Sequence, residues 1–550
     1  MKFDPILSQE RIDTMVSQGL WPNRLITDHM DDAVAACPDQ VAVTDINSMT
    51  GRHTTLSYRQ LRRIGDRIAL GLVAMGIQPG DVIGLQLPNW WHYAAFYLAA
   101  VRIGAVVNPL MPIFRHRELE FMLGYGEHKA VVIPRRFRGF DHVQMLAELR
   151  GKLPKLEHVI VIDGEDDATS FEALLLNRRW EDELDAERIF AERRPDPNDI
   201  TELAYTSGTT GTPKGIMHTS NTLMCKARIA IEHMQLTQRD TVLMGSPLAH
   251  QTGFMYGMIL SIVLHAKSVL MDIWDPIVAA QRIQDERCTY TLASTPFVSD
   301  LTYNEGVGRY DISTMRLFLT AGAPIPRVLV QDAKRKRDIF VMSAWGMSEN
   351  GVVTATRIGD SEDKIVNTDG APLPGQQVRV VDVDGKPLPP GEEGRLQARC
   401  CTQFVGYLGR PEAYEMHDGM WFETGDNARM DEDGYIRITG RSKDILIRGG
   451  ENIPVVEIES VIYEHPAVDD VAIVAMPDER LGERGCAFVK LNSGASLTFR
   501  ELIDYLAERH VAKNYLPERL EILADFPRTP SGKIQKFKLR EVAKDLHPER

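Results

Sequence analysis

Short apolar runs bounded by Gly, Pro or polar residues recur through the first 350 positions, with helical periodicity between them. The Val-, Ile- and Leu-rich runs predict strands over 130–134, 159–163, 201–206, 241–245, 268–271, 317–320 and 340–343. Helical spacing predicts helices over 221–234 and 276–286. Strands alternating with helices read as an α/β fold with covered, mostly parallel sheets, whose carboxyl-end loops carry function. Near residue 365 the texture changes. Short strands at 377–382, 394–398 and 434–438, punctuated by Gly, Pro and Asp, predict a small, β-barrel-like unit. After residue 441 a helix over 456–463, strands over 471–476 and 486–491, a helix over 498–509 and a strand over 519–523 predict a compact α+β unit.

The expected division is therefore a large domain over 1–440 and a small mobile domain over 441–550. The large domain is expected to hold α/β subdomains over about 1–195 and 196–365 and a β subdomain over 366–440. The seam at 440–444 is short and polar, which predicts a hinge rather than a loose tether.

Composition narrows the class of partner. Of 550 residues, 43% are hydrophobic and 25% charged, as in an ordinary globular protein, and the net charge is −14. That sign argues against nucleic acid as the main ligand, because duplex binding needs clustered Lys and Arg. No run approaches about 18 uncharged apolar residues, so no membrane span is expected. The opening MKFDPILSQERIDTM carries no apolar leader pattern. The cysteines at 37, 225, 288, 400, 401 and 486 have no metal-type spacing, so free thiols in a reducing cytoplasm are expected.

The chemistry concentrates in Tyr205-Thr206-Ser207-Gly208-Thr209-Thr210-Gly211-Thr212-Pro213-Lys214-Gly215, which follows the predicted strand at 201–206. Glycines let backbone approach an anion closely, hydroxyl and N–H groups donate to phosphate oxygens, and Lys214 adds charge. A Walker P-loop would need Gly at 213 and Ser or Thr at 215, where Pro213 and Gly215 stand. A P-loop kinase or ATPase is thereby disfavoured.

This loop resembles the phosphate loop of the adenylate-forming superfamily, which includes acyl-CoA synthetases, aryl-CoA ligases, luciferases and peptide-synthetase adenylation domains. Further segments resemble that family in the same order along about 55–535: Leu56-Ser57-Tyr58-Arg59-Gln60-Leu61, Asn108-Pro109, Ser343-Ala344-Trp345-Gly346-Met347-Ser348-Glu349, Trp421-Phe422-Glu423-Thr424-Gly425-Asp426, Gly440-Arg441-Ser442-Lys443-Asp444, Gly449-Gly450-Glu451-Asn452-Ile453 and Pro527-Arg528-Thr529-Pro530-Ser531-Gly532-Lys533.

The resemblance implies a two-step reaction with ATP, Mg²⁺ and coenzyme A as cofactors: a carboxylic acid becomes acyl-AMP, and a thiol then displaces AMP. It implies that Thr206, Ser207, Gly208, Thr209, Thr210, Gly211 and Lys214 hold the β- and γ-phosphates. Glu349 is the implied Mg²⁺ ligand, and Ser348 the donor to the α-phosphate. Trp345, with Gly346 and Met347 beside it, would cover one face of adenine, and Gly322-Ala323-Pro324 the other. Asp426 would accept from the ribose hydroxyls, and Arg441 would donate to ribose or phosphate. Lys533 would place its ammonium between the substrate carboxylate and the α-phosphate. Lys443 marks the implied hinge, whose rotation would exchange Lys533 for Gly449 and Gly450 beside the pantetheine arm. Acetylation of Lys533 by a lysine acetyltransferase is an implied off-switch, and a homodimer is a further expectation.

For the acid, Pro247-Leu248-Ala249-His250-Gln251-Thr252-Gly253-Phe254 resembles the start of the family's acyl pocket, with His250 beside the carboxylate. Amino-acid-activating relatives carry Asp where Gln251 stands, and acetate-specific relatives carry Trp where Gly346 stands. With the apolar segment 254–260, this points to an acid larger than acetate, medium-chain or alicyclic, as in cyclohexanecarboxylate and short/medium-chain fatty acid CoA ligases. A ligase loading a carrier protein, an aryl-acid CoA ligase and an inactive nucleotide sensor are the alternatives.

Overall fold

The segments that carry the motifs lie at the ends of strands in two large sheets. A computed structural model of the chain describes residues 3–205, 213–323, 325–417, 419–441, 446–448, 451–453, 455–478, 480–509, 511–529 and 532–549, with backbone alone at 441, 447, 451, 452 and 514. The first sheet has nine strands, in the order Ala371–Pro372, Gly351–Ala355, Phe340–Met347, Leu317–Thr320, Tyr290–Ala293, Thr241–Met244, Lys267–Met271, Val41–Ile46 and His53–Ser57. Its inner pairings are parallel and its outer ones antiparallel. The second has six, in the order Gly215–Thr219, Ile200–Tyr205, Val106–Pro109, Val82–Leu85, Ala130–Pro134 and His158–Ile162.

The sheets do not divide the chain at 195. Val41–Ile46 and His53–Ser57 join the nine-stranded sheet, while Ile200–Tyr205 and Gly215–Thr219 close the edge of the six-stranded one. Between the sheets runs Trp91–Arg102, buried along nearly its whole length, in a core that takes side chains from both. An apolar helix with no polar face is what a position covered on both sides requires.

Two of the sequence motifs serve this architecture. Ser57 Oγ accepts from the Gln60 N–H at 3.3 Å while Gln60 Oε1 accepts from the Ser57 N–H at 2.8 Å, a capping box that starts helix Tyr58–Ala74. The buried Tyr58 hydroxyl then donates to the Ala266 carbonyl at 2.8 Å. Asn108 Nδ2 donates to the Leu203 carbonyl at 2.5 Å, tying the strand that leads into the phosphate loop to its neighbour.

Downstream, five strands, Gln376–Val381, Glu393–Cys400, Trp421–Met430, Met416–His417 and Ile436–Arg441, form an antiparallel sheet. A last sheet of Glu451–Ile453, Leu446–Arg448, Gly482–Leu491, Val468–Asp478 and Arg519–Leu523 carries helices Val455–Tyr463, Phe499–Glu508 and Lys536–Ala543. This small unit docks on the large one. Ser299 Oγ and Tyr463 Oη are hydrogen-bonded at 3.0 Å, and Arg429 pairs with Glu457 at 3.5 Å. Among the described residues no helix is long and apolar enough to cross a membrane. All six cysteines are free thiols.

Candidate active site

The expected strand at 340–343 runs on to Met347, because Ala344–Met347 pairs antiparallel with Gly351–Ala355 across a tight turn. Trp345 therefore sits inside a strand rather than beyond its end. Only 7% of it is exposed, it packs in the core beneath the antiparallel sheet, and its indole N–H donates to Asp426 Oδ2 at 2.9 Å. Asp426, also buried, lies opposite Arg441 in the ladder of Trp421–Met430 with Ile436–Arg441. The two residues expected to meet adenine and ribose are thus joined directly.

Gly346 has a different reason from the one its resemblance suggested. A Cβ there would stand 2.2 Å from the Gly351 carbonyl oxygen, so the glycine permits the close approach of the two strands.

The turn after Met347 is pinned at many points. The Glu349 carboxylate, 7% exposed, accepts from the Tyr407 hydroxyl at 2.7 Å, and its carbonyl accepts from the Phe404 N–H at 2.9 Å. Lys214 Nζ lies 4.7 Å from the centre of the same Tyr407 ring. Tyr407 so brings together the lysine of the phosphate loop and the acidic residue of the second motif. Burial and Glu349 both push its hydroxyl pKa up, which keeps it a proton donor. The Ser348 carbonyl meets Lys226 Nζ at 3.4 Å, and Nζ lies 2.9 Å from His218 Nε2. The Val352 N–H donates to the Tyr256 hydroxyl at 2.7 Å.

Lys533 comes from the small domain. Its turn is closed by the Thr529 N–H on the Lys533 carbonyl at 2.7 Å and by the Lys533 N–H on Thr529 Oγ1 at 3.0 Å. Gly532 packs on the large domain, where a Cβ would lie 2.9 Å from Ser294 Oγ. The lysine side chain then reaches Gly322, which has φ +85° just after strand Leu317–Thr320, so that a Cβ on Gly322 would stand 3.1 Å from Lys533 Cε. Burial, and next the Lys533 charge, push His250 down to about 3. His250 Nδ1 accepts from the Thr252 N–H at 3.2 Å, which assigns its ring proton to Nε2.

The segment after His250 is more core than pocket. Phe254–Ile259 forms a widened helical turn whose residues are all buried. Gln251 Nε2 donates to Glu202 Oε1 at 2.6 Å.

The structure thus gathers Lys214, Glu349, Trp345, Ser348 and Asp426 along one run of strand ends, and Lys533 and Gly322 at a second point. Thr206, Ser207, Gly208, Thr209, Thr210, Gly211, Pro324, Lys443, Gly449 and Gly450 lie outside the described residues, as does the Arg441 side chain. Tyr407, Lys226, His218 and Glu202 escaped the sequence reading. A signal existed for two of them: a lone charge within the apolar strand ITELAY, and a lysine amid small and apolar residues in helix Ser220–His233.

Glu349 is one hard oxygen donor, and Mg²⁺ commonly uses one or two carboxylates together with substrate phosphates. Among the described residues no group of three or more His, Cys, Asp or Glu is placed to hold a metal. The donor set therefore fits an ion that arrives on ATP, as part of the substrate.

Comparison with known proteins identifies the family. The profile of the AMP-binding enzyme family matches residues 30–408, and that of the AMP-binding enzyme C-terminal domain matches 457–533. The chain is 36% identical to the medium-chain fatty-acid–CoA ligase of Escherichia coli (strain K12), over 98% of this chain and 94% of that protein. It is 31% identical to the 2,3-dihydroxybenzoate-AMP ligase of Bacillus subtilis (strain 168), over 97% and 96%. Among solved structures, ATP-bound MatB from Rhodopseudomonas palustris superposes with a TM-score of 0.81 at 26% identity, covering 94% of this chain and 99% of that one. With both family profiles in chain order on a two-part fold of this kind, the chain belongs to the AMP-binding, adenylate-forming enzymes, as an AMP-forming acid–thiol ligase.

Proposed function

We propose that the chain activates an apolar carboxylic acid, medium-chain fatty or alicyclic, with Mg·ATP and passes the acyl group to coenzyme A. In the first half-reaction a carboxylate oxygen attacks the α-phosphorus, the bond from that phosphorus to the bridging oxygen breaks, and pyrophosphate leaves with the electron pair. In the second, the coenzyme A sulfur bonds to the acyl carbon, its proton goes to solvent, and AMP leaves. Little covalent work falls to the protein, whose task is to position the reactants and balance their charge.

The observation that carries this reading is Lys533 lying against Gly322, just after strand Leu317–Thr320. An ammonium delivered there by a separate domain would suit a carboxylate and an α-phosphate that must meet despite both being anionic. Lys214 would take the outer phosphates, Glu349 the Mg²⁺ they carry, Ser348 the α-phosphate, and Asp426 with Arg441 the ribose. Glycines 449 and 450 would border the pantetheine arm once the domain over 441–550 rotates at Lys443, and acetylation of Lys533 would remove the charge the first step needs. The acid class is supported by the medium-chain relative.

The test is a panel of carboxylates with ATP and Mg²⁺, reading pyrophosphate release, then AMP release with coenzyme A or a carrier protein as acceptor. Hexanoate to decanoate or cyclohexanecarboxylate should head the panel, with coenzyme A as acceptor. Preference for salicylate or dihydroxybenzoate would move the protein to the aryl-acid ligases, and turnover only with a carrier protein would overturn the acceptor.

A further inference from the structure

Beneath the turn that carries Ser348 and Glu349 lies a lysine with no assigned task. Lys226, on helix Ser220–His233, is 2% exposed. Its Nζ lies 2.9 Å from His218 Nε2 and donates to the Ser348 carbonyl at 3.4 Å. His218, buried and held neutral by burial and by the Lys226 charge, has Nδ1 3.2 Å from Thr222 Oγ1 and Nε2 3.0 Å from the same Ser348 carbonyl. The lysine's stem also fills the space under Gly351, where a Cβ would stand 3.1 Å from Lys226 Cδ.

Burying an ammonium is costly unless something balances it. Glu202, fully buried on strand Ile200–Tyr205, is that counter-charge, and it reaches Lys226 through the low-dielectric interior rather than by contact. Burial pushes Glu202 up and Lys226 down, and each pulls the other back. Glu202 Oε1 accepts from Gln251, while its Oε2 makes no hydrogen bond among the described residues. Glu349 also lies within the field of Lys226, as do the buried thiols of Cys225 and Cys400.

Three parts of the site converge on this pair. Glu202 stands on the strand that enters the phosphate loop, Gln251 opens the acyl segment, and Lys226 holds the turn bearing Ser348 and Glu349. A methylene stem alone would fill the space under Gly351; what the charge adds is a second group, beside His218, at the Ser348 carbonyl and a field at the Glu349 carboxylate.

We propose that Lys226 is a positioning residue for adenylation, whose buried ammonium, balanced by Glu202, fixes the Ser348–Glu349 turn against the phosphate loop. This rests on the reading of Glu349 and Ser348 as the groups that meet Mg·ATP.

Lys226→Met alone leaves Glu202 buried and unbalanced, so the informative variant is Lys226→Met with Glu202→Gln. That pair keeps both shapes and the Gln251 contact and removes both charges together. Glu349→Gln is measured beside it, with pyrophosphate release for the first half-reaction and thioester formation from supplied acyl-AMP for the second. The expected result is a folded double variant with adenylation slowed at least tenfold, thioester formation within threefold of the parent, and Glu349→Gln also failing in adenylation. A merely structural pair would lower both half-reactions together. A folded double variant with parental adenylation, while Glu349→Gln is dead, overturns the role of Lys226 and leaves the site reading standing. Equal loss in both half-reactions likewise overturns it. Parental adenylation by Glu349→Gln overturns the site reading, and the role of Lys226 with it.

Discussion

A Cβ built on Gly322 would stand 3.1 Å from Lys533 Cε, so the small domain's lysine lies directly against a bare α-carbon of the large domain. Gly322 also has φ +85°, a region that side chains enter at a cost of about 1–2 kcal/mol. Gly322→Ala should therefore act twice, by a small loss of stability and by displacing the ammonium. Misplacing a reacting group by a fraction of an ångström to an ångström costs roughly 10- to 100-fold in rate. Adenylation by the variant should fall in that range while thioester formation from acyl-AMP stays near the parental rate. If both half-reactions slow alike, backbone strain is the whole effect.

Lys533→Ala tests the same contact from the other side. Loss of one preorganised electrostatic group commonly costs about 10²–10³ in kcat. Pyrophosphate release should drop by that factor or more, and thioester formation from supplied acyl-AMP should survive. Normal pyrophosphate release would remove Lys533 from the chemistry.

Much of this was legible because local pattern and final position agree. Runs such as Ala130–Pro134 and Leu317–Thr320 are short, apolar and bounded by polar or turn-forming residues, and they are strands with those limits. Phe340–Met347 ran past its expected end because only pairing with Gly351–Ala355, a tertiary fact, turns Ala344-Trp345-Gly346-Met347 into strand. The exchange of Val41–Ile46 into the far sheet is non-local in the same way. Lys533 and Glu349 stood out by their motif neighbours. Tyr407 did not, because a tyrosine in an apolar run looks like core until the Glu349 carboxylate is found 2.7 Å from its hydroxyl.

The Trp345–Asp426 bond separates two duties of one ring. Trp345→Phe keeps an aromatic surface but deletes the N–H that donates to Asp426. Hydrogen bonds to charged groups contribute about 1.5–3 kcal/mol. If Asp426 holds the ribose, KM for ATP should rise roughly tenfold with KM for the acid unchanged, since about 1.4 kcal/mol is one decade. An unchanged KM for ATP would mean that Asp426 is oriented without the indole or does not meet the nucleotide.

Acid should destabilise the fold, through histidines buried neutral. Burial, as the largest cause, holds His29 at about 4 and His92, His128 and His250 at about 3, below their ordinary 6.5. Between those values and 6.5 the unfolded chain binds protons that the folded chain refuses, so the stability present above pH 6.5 is lost as pH falls. Asp45 and Glu202, both raised by burial to about 7, work the opposite way: folded, each keeps a proton that it gives up on unfolding, so they favour the fold at lower pH. Four histidines outweigh these two between pH 6.5 and 5. His92 isolates the effect, since it stacks on Trp91 with ring centroids 3.9 Å apart and, among the described residues, neither ring nitrogen has a hydrogen-bond partner. His92→Phe keeps the stacking and removes the titration. A tenfold change in a protonation equilibrium is about 1.4 kcal/mol, so relative to the parent the variant should gain about 2 kcal/mol in going from pH 7 to pH 5. Urea unfolding at the two pH values measures it, and an identical pH dependence in parent and variant would show that His92 is protonated in the fold.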